Sequence, residues 1–248
     1  MKKFIKSLLV FIGVRKLWRY YLKKKTIKNN KKNLIYTRRM TAIDRERDDY
    51  IYDIPINDMG GDYIRLSSLE LIADQIDKRQ LHGSVAELGV YKGEFAEKIN
   101  RAFPERKLYL FDTFEGFDNR DIKTEVKNNY SSSELQKEAF LDTNIELVLN
   151  RMKYRENCII KKGFFPETAS GIDEKFVFVS IDADLFEPIY VGLQFFYPLL
   201  QKGGFIFVHD YNNKYFSGAK EAVNKYADEN NISFFPLSDE AGSAVFLK

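Results

Sequence analysis

The chain has 248 residues, 44% hydrophobic and 30% charged, which describes a soluble globular protein of one domain with decoration. A single cysteine, Cys158, excludes an internal disulfide and a Cys-rich zinc site, and two histidines, His82 and His209, rule out most multi-His metal sites. The net charge of +3 is uneven: residues 1–40 carry 14 Lys or Arg and no acid, leaving 25 basic against 36 acidic residues in the body, which disfavours nucleic-acid binding there.

The first 25 residues alternate apolar and basic positions. Phe4, Leu8, Phe11, Val14, Leu17 and Trp18 recur at three- and four-residue steps, along one stripe of a helix. The longest uncharged run, residues 7–14, is far too short to span a bilayer, and no small-residue cleavage site follows it. The stripe suits peripheral contact with an anionic membrane through residues 1–25. It also suits a helix packed on its own domain or on a second copy in a homo-oligomer, or a disordered tail, and these readings stay open. Residues 23–32 read as a basic linker, so residues 1–40 are assigned to this segment and 41–248 to the folded domain.

Within the body, residues 66–76 have helical spacing. Residues 84–88 (SVAEL) form a short apolar strand ending at Gly89, and residues 91–103 form a helix closed by Pro104. Residues 107–112 are a strand, 134–153 a helix and 157–163 a short strand, with Cys158 as a structural thiol inside it. Residues 175–184 make an apolar strand ending in acids, and 188–200 a helix. A strand over 203–211 opens on two glycines, a helix covers 219–230, and SFFPLS with SAVFLK close the chain as a hairpin. Strands that alternate with helices and read as continuous apolar runs indicate an α/β fold, a mostly parallel sheet covered on both faces with an antiparallel hairpin at its end. Ligands of such sheets sit at the carboxyl ends of the strands. The acids and glycines collect there: Glu87 to Gly93, Asp112, Asp182, Asp184, His209 and Asp210.

Three motifs carry the chemistry. In AELGVYKG, Gly89 and Gly93 allow a sharp turn after the strand and free N–H groups at the next helix start. Glu87 precedes the first glycine; it would repel a pyrophosphate and suits a cationic ligand such as the amine or sulfonium of S-adenosylmethionine. Asp112 lies 23 residues beyond Gly89, at the end of the next strand, where a carboxylate accepts bonds from both hydroxyls of a ribose. Finally, SIDADLFEP and FVHDY would bring Asp182 beside His209 and Asp210 if their strands are adjacent. That set suits Mg²⁺ or Mn²⁺ holding two substrate hydroxyls, or His209 acting as a general base.

VAELGVYKGEFA, LYLFDTFEGF, KGFFPETA and VSIDADLFEPIYVGLQFFYPLLQKGGFIFVHDYNNKYFSGAKEAVNKY together resemble the macrocin O-methyltransferase family, in the same order over roughly residues 60–247. The resemblance implies a class I methyltransferase (Rossmann-like) sheet of seven strands, S-adenosylmethionine as cofactor, Mg²⁺, and a sugar hydroxyl as acceptor. It extends to bacterial polysaccharide-modifying proteins; the single cysteine fits a reducing cytoplasm, at the inner membrane face if the N-terminal stripe docks there. By motif, Glu87, Gly89, Tyr91 and Gly93 line the methionine end, Asp112, Thr113 and Phe114 surround ribose and adenine, and Gly163 and Phe164 border the adenine pocket. The family's metal triad is one Asp after one strand and an Asp-Asp pair after the next. Asp182 and Asp210 match it, while His209 replaces the first Asp of the pair. The catalytic set is thus Asp182, His209 and Asp210, the same three as the metal set. Two other readings compete: a metal-dependent glycosyltransferase using Asp182-Ala183-Asp184, which leaves AELGVYKG and Asp112 unexplained, and a non-catalytic scaffold on the same fold.

Overall fold

The computed structural model describes residues 43–44, 49–50, 62–131 and 139–248. The chain divides into two compact units, Met1–Gly61 and Asp62–Lys248. In the first, the described part is a two-residue antiparallel ribbon, Ile43–Asp44 against Asp49–Tyr50. The apolar stripe of residues 4–18 and the linker 23–32 lie outside the described residues. No helix among the described residues is long and apolar enough to cross a membrane.

The second unit opens with helix α1 (Tyr63–Lys78). Asp62 caps it, its carboxylate accepting the Arg65 backbone N–H at 3.2 Å. Strand β1 (Ser84–Leu88) and helix α2 (Glu94–Ala102) follow, then strand β2 (Leu108–Asp112) and helices α3 (Asn119–Lys127) and α4 (Ile145–Arg151). Strands β3 (Cys158–Lys162) and β4 (Phe176–Ile181) precede helix α5 (Phe186–Leu199). Strand β5 (Leu200–Val208), helix α6 (Gly218–Asn230) and the hairpin β6 (Phe235–Leu237) and β7 (Ser243–Leu247) complete the unit.

These strands form one seven-stranded sheet in the order β3-β2-β1-β4-β5-β7-β6. Strands β1 to β5 run parallel, and β7 runs antiparallel to β5 and β6, as the alternating pattern and terminal hairpin anticipated. Every residue of β1 and β4 is buried, because helices cover both faces. Alternate side chains enter different layers: Val85, Leu108, Leu110 and Phe178 pack on one side, Ala86, Leu88, Phe111 and Val179 on the other. The order reverses between β1 and β4, whose neighbours lead outward in opposite directions; that is the crevice where open α/β sheets bind ligands. Leu88 pairs with Phe111 and Ile181, and Ile181 with Val208, so β2, β1, β4 and β5 end level with one another. The residues after those ends share one rim.

Two elements differ from expectation. The helix expected over 134–153 is present only at Ile145–Arg151 among the described residues. Asn144 begins it, its side-chain oxygen accepting the Leu147 N–H at 2.8 Å; a residue satisfying an orphan N–H in this way starts a helix and does not sit inside one. Helix α3 was not expected. Its sequence NRDIKTEVK has two apolar residues, so it shows no apolar stripe, yet Asp118 caps it through the Arg120 N–H at 2.9 Å. Cys158 is half-buried in β3, and burial pushes its thiol up to about 11, in keeping with an inert structural role.

Candidate active site

The loop after β1 is shaped by glycine. Gly89 has φ +85°, and a Cβ there would lie 2.0 Å from the Asp182 carbonyl oxygen. The end of β1 therefore presses directly on the end of β4, a contact that any side chain would force apart. Gly93, at φ 77°, caps α2 in the left-handed region. Tyr91 between them also has positive φ, 48°, and its hydroxyl donates to Asp142 at 2.5 Å.

Asp112 closes this loop from the side. Its Oδ2 accepts the Val90 and Tyr91 N–H groups at 2.7 and 2.9 Å, and its Oδ1 accepts the Phe114 N–H at 2.6 Å. A carboxylate offers about four acceptor positions. Three are thus spent on folding the glycine loop, where spacing alone had suggested a carboxylate free for both hydroxyls of a ribose. Thr113 supports the turn beyond, its hydroxyl donating to the Gly116 carbonyl at 2.5 Å. Phe114 is 5% exposed. Gly163 reaches the same rim from β3, donating its N–H to the Asp112 carbonyl at 2.9 Å, and Phe164 beside it carries the Arg120 guanidinium 3.4 Å over its ring.

Glu87 lies under the loop, 1% exposed. Burial, then the nearby Asp182 charge, raise its carboxyl well above the usual carboxylate range, against the pull of Arg65. Its Oε2 has no hydrogen-bond partner. An orphaned buried acceptor beside a glycine turn and a helix start fits a ligand that carries an amine or another cation.

At the ends of β4 and β5 the structure brings Asp182, His209 and Asp210 together, because these strands are neighbours. His209 Nδ1 lies 3.1 Å from Asp182 Oδ1 and 3.1 Å from Asp210 Oδ2. Burial alone would lower the imidazole; the Asp182 charge and the bonds to both carboxylates outweigh it and raise His209 to about 10. Asp182 moves the other way: despite burial, Arg65 and His209 hold it well below the usual range. Asp210 is 6% exposed, its Oδ1 accepting from Asn213 Nδ2 at 2.8 Å. Asp184, at φ 58°, is raised well above the carboxylate range by burial and by Asp210 and Asp182.

Sequence reasoning missed Arg65. It enters from the first turn of α1, donating from Nη1 to Asp182 Oδ2 at 2.9 Å and from Nη2 to Ser180 Oγ at 3.0 Å. The available signal was local: Asp62 three residues earlier reads as a helix cap and fixes where Arg65 stands.

The profile of the macrocin O-methyltransferase family matches residues 12–248, reaching well into the N-terminal segment that the motifs had left outside it. The 8-demethyl-8-(2,3-dimethoxy-alpha-L-rhamnosyl)-tetracenomycin-C 4'-O-methyltransferase of Streptomyces olivaceus is 23% identical over 199 residues, 74% of this chain and 72% of that protein. Among solved structures, the O-methyltransferase NovP superposes with a TM-score of 0.63 at 19% identity, over 75% of this chain and 80% of its own. The calicheamicin methyltransferase CalS11 gives 0.60 at 17% identity, over 92% and 91%.

Proposed function

The chain belongs to the macrocin O-methyltransferase family, and on that premise we propose that it moves a methyl group from S-adenosylmethionine to a hydroxyl of a sugar in a glycan, polysaccharide or glycosylated metabolite. One observation carries the reading: Gly89, in the loop that suits the cofactor, is packed against the backbone of Asp182, in the cluster that suits the acceptor. Donor and acceptor halves thus meet at one point of the rim. The likeness of the tetracenomycin rhamnosyl 4'-O-methyltransferase supports a sugar acceptor. Family membership displaces the glycosyltransferase reading, and the paired acids of Asp182-Ala183-Asp184 do not act alike: Asp182 is held ionised while burial and Asp210 hold Asp184 towards its neutral form.

S-adenosylmethionine, when bound, supplies an electrophilic methyl carbon on a sulfonium. Glu87 would receive its amine or sulfonium end with the orphaned Oε2, and Gly89, Tyr91 and Gly93 would line that end. Asp112 keeps about one acceptor position for a ribose hydroxyl, with Thr113 and Phe114 shaping the turn beside it and Gly163 and Phe164 bordering the adenine. Asp182, its side chain 22% exposed, is the carboxylate of the cluster that a substrate reaches. It receives the acceptor hydroxyl and takes its proton. An alcohol turns strongly acidic as its oxygen gains the methyl group, so the proton leaves late and a weakly basic carboxylate suffices. His209 holds its own proton at neutral pH and keeps Asp182 and Asp210 in register; it enters as a neutral base only near pH 10.

Mg²⁺ does not fit the residues present. The donor atoms of Asp182, His209 and Asp210 lie within 4.8 Å of one another, but both Asp182 oxygens are already engaged, Oδ1 with His209 Nδ1 and Oδ2 with Arg65, and the same Nδ1 also faces Asp210. Two cationic side chains already balance these acids, and Mg²⁺ takes oxygen ligands.

Asp182→Ala tests the assignment. It should lower methyl transfer by about 100-fold or more while S-adenosylhomocysteine still binds within about 3-fold of wild type by calorimetry. Normal turnover would remove Asp182 from the reaction. The N-terminal stripe would hold the enzyme at an anionic membrane; co-sedimentation with phosphatidylglycerol vesicles, with and without residues 1–25, tests that.

A further inference from the structure

Arg65 is buried to an extent unusual for a cation, its side chain 6% exposed. Burying a guanidinium is unfavourable unless every donor and the charge are matched. The surroundings meet two of its donors and one face, and leave Nε without a hydrogen-bond partner among the described residues. Asp182 Oδ2 takes Nη1 and Ser180 Oγ takes Nη2, while the guanidinium carbon lies 3.7 Å from the centroid of the Phe95 ring. Ser180 and Asp182 are two residues apart at the end of β4, so they face the same side. Phe95 is in the first turn of α2, two residues after Gly93. The backbone of Arg65 is fixed in turn by the Asp62 cap. Arg65 therefore ties the acceptor carboxylate to the helix that carries the donor loop.

A carboxylate has two equivalent oxygens and can swap them by rotation. With one oxygen held by a guanidinium that also grips Ser180, rotation of Asp182 breaks a charge-assisted bond in a buried place. The other oxygen, Oδ1, is left facing His209.

We propose that Arg65 is a positioning residue for methyl transfer, locking Asp182 so that Oδ1 alone faces His209 and the acceptor hydroxyl. This rests on the reading of Asp182 as the group that receives that hydroxyl. A lysine keeps the charge but not the two-pronged grip, so it replaces Arg65 only in part.

The test uses the full chain with Arg65→Met, Arg65→Lys and Asp182→Asn. Displacement of a positioned group by about 1 Å costs about 100-fold in rate. In Arg65→Met, kcat/KM for a methylated glycoside acceptor should fall about 100-fold, Arg65→Lys should lie between it and wild type, and S-adenosylhomocysteine affinity should stay within about 3-fold. Melting temperatures supply a readout that needs no turnover: Arg65→Met and Asp182→Asn should each lower it, and the double variant should fall far less than additively, because the buried pair leaves together. Unchanged kcat/KM in Arg65→Met, a loss confined to cofactor affinity, or strictly additive melting shifts would overturn the proposal. Should Arg65→Met fail to fold, Arg65→Lys and Ser180→Ala take its place, each expected to lower kcat/KM about 10-fold, with no change overturning it. A wild-type chain that binds S-adenosylhomocysteine yet methylates no sugar would sink the acceptor reading, while the melting cycle would still decide whether Arg65 is coupled to Asp182.

Discussion

Gly89→Ala adds one methyl group at the point where the donor loop meets the acceptor strand. The new Cβ would stand 2.0 Å from the Asp182 carbonyl oxygen, where Cβ contacts under 3.0 Å are essentially never seen, so something must move by about 1 Å. Neither partner is a flexible side chain. Gly89 donates its N–H to the Phe111 carbonyl at 2.9 Å, and Asp182 donates its N–H to the Leu88 carbonyl at 2.8 Å, so a shift stretches the ladder on both sides of β1. Forcing a side chain to φ +85° adds about 1 kcal/mol, and overpacking typically costs about 1–3 kcal/mol. The sum, about 3 kcal/mol, corresponds to a fall of about 10 °C in melting temperature for a domain of this size. A displacement of about 1 Å should also cut turnover about 100-fold. Scanning calorimetry and titration with S-adenosylhomocysteine measure both effects. A variant that melts within about 2 °C of wild type and binds the cofactor product equally well would refute the close approach of β1 to β4.

Asp112→Asn replaces one acceptor oxygen with an NH₂ that must face backbone N–H groups; calorimetry should show cofactor-product affinity about 10- to 100-fold weaker, and unchanged affinity would contradict the role of Asp112 in holding the loop. Asp121, 7% exposed with Oδ1 unpartnered, has its carboxyl raised by burial from 3.8 to about 7. The unfolded chain therefore releases this proton first, and stability falls as pH rises between about 4 and about 7, by up to about 4 kcal/mol. Asp121→Asn should melt above wild type at pH 8, with the gap closing near pH 4; a gap independent of pH would contradict this.

The rim of the site was legible because parallel strands buried on both faces read as unbroken apolar runs, so the residue that ends each run is visible. Glu87, Asp112, Asp182 and His209 all follow from that, and the neighbouring positions of β4 and β5 bring the last two together. Arg65 was not legible for the opposite reason. Its partner Asp182 lies 117 residues away, and the Asp62 cap places Arg65 in the first turn of α1 without telling whether its side chain turns inward or faces water. The second task of Asp112 was hidden because the groups it binds, the N–H of Val90, Tyr91 and Phe114, belong to the backbone and carry no residue identity. Helix α3 escaped because it is held by an N-cap and by Glu125, which buries its carboxylate against the Phe186 N–H at the start of α5, and not by an apolar stripe.

The most direct measurement incubates the purified full-length chain with S-adenosylmethionine bearing a trideuterated methyl group and a panel of nucleotide sugars and rhamnosyl glycosides, and follows the products by mass spectrometry. The account predicts one trideuteromethyl group on a sugar oxygen of at least one acceptor, in step with release of S-adenosylhomocysteine and undiminished by EDTA. No label on any sugar, from a chain that binds S-adenosylhomocysteine, would contradict the sugar-hydroxyl acceptor; transfer abolished by EDTA and restored by Mg²⁺ would contradict the charge-paired cluster of Arg65, Asp182, His209 and Asp210.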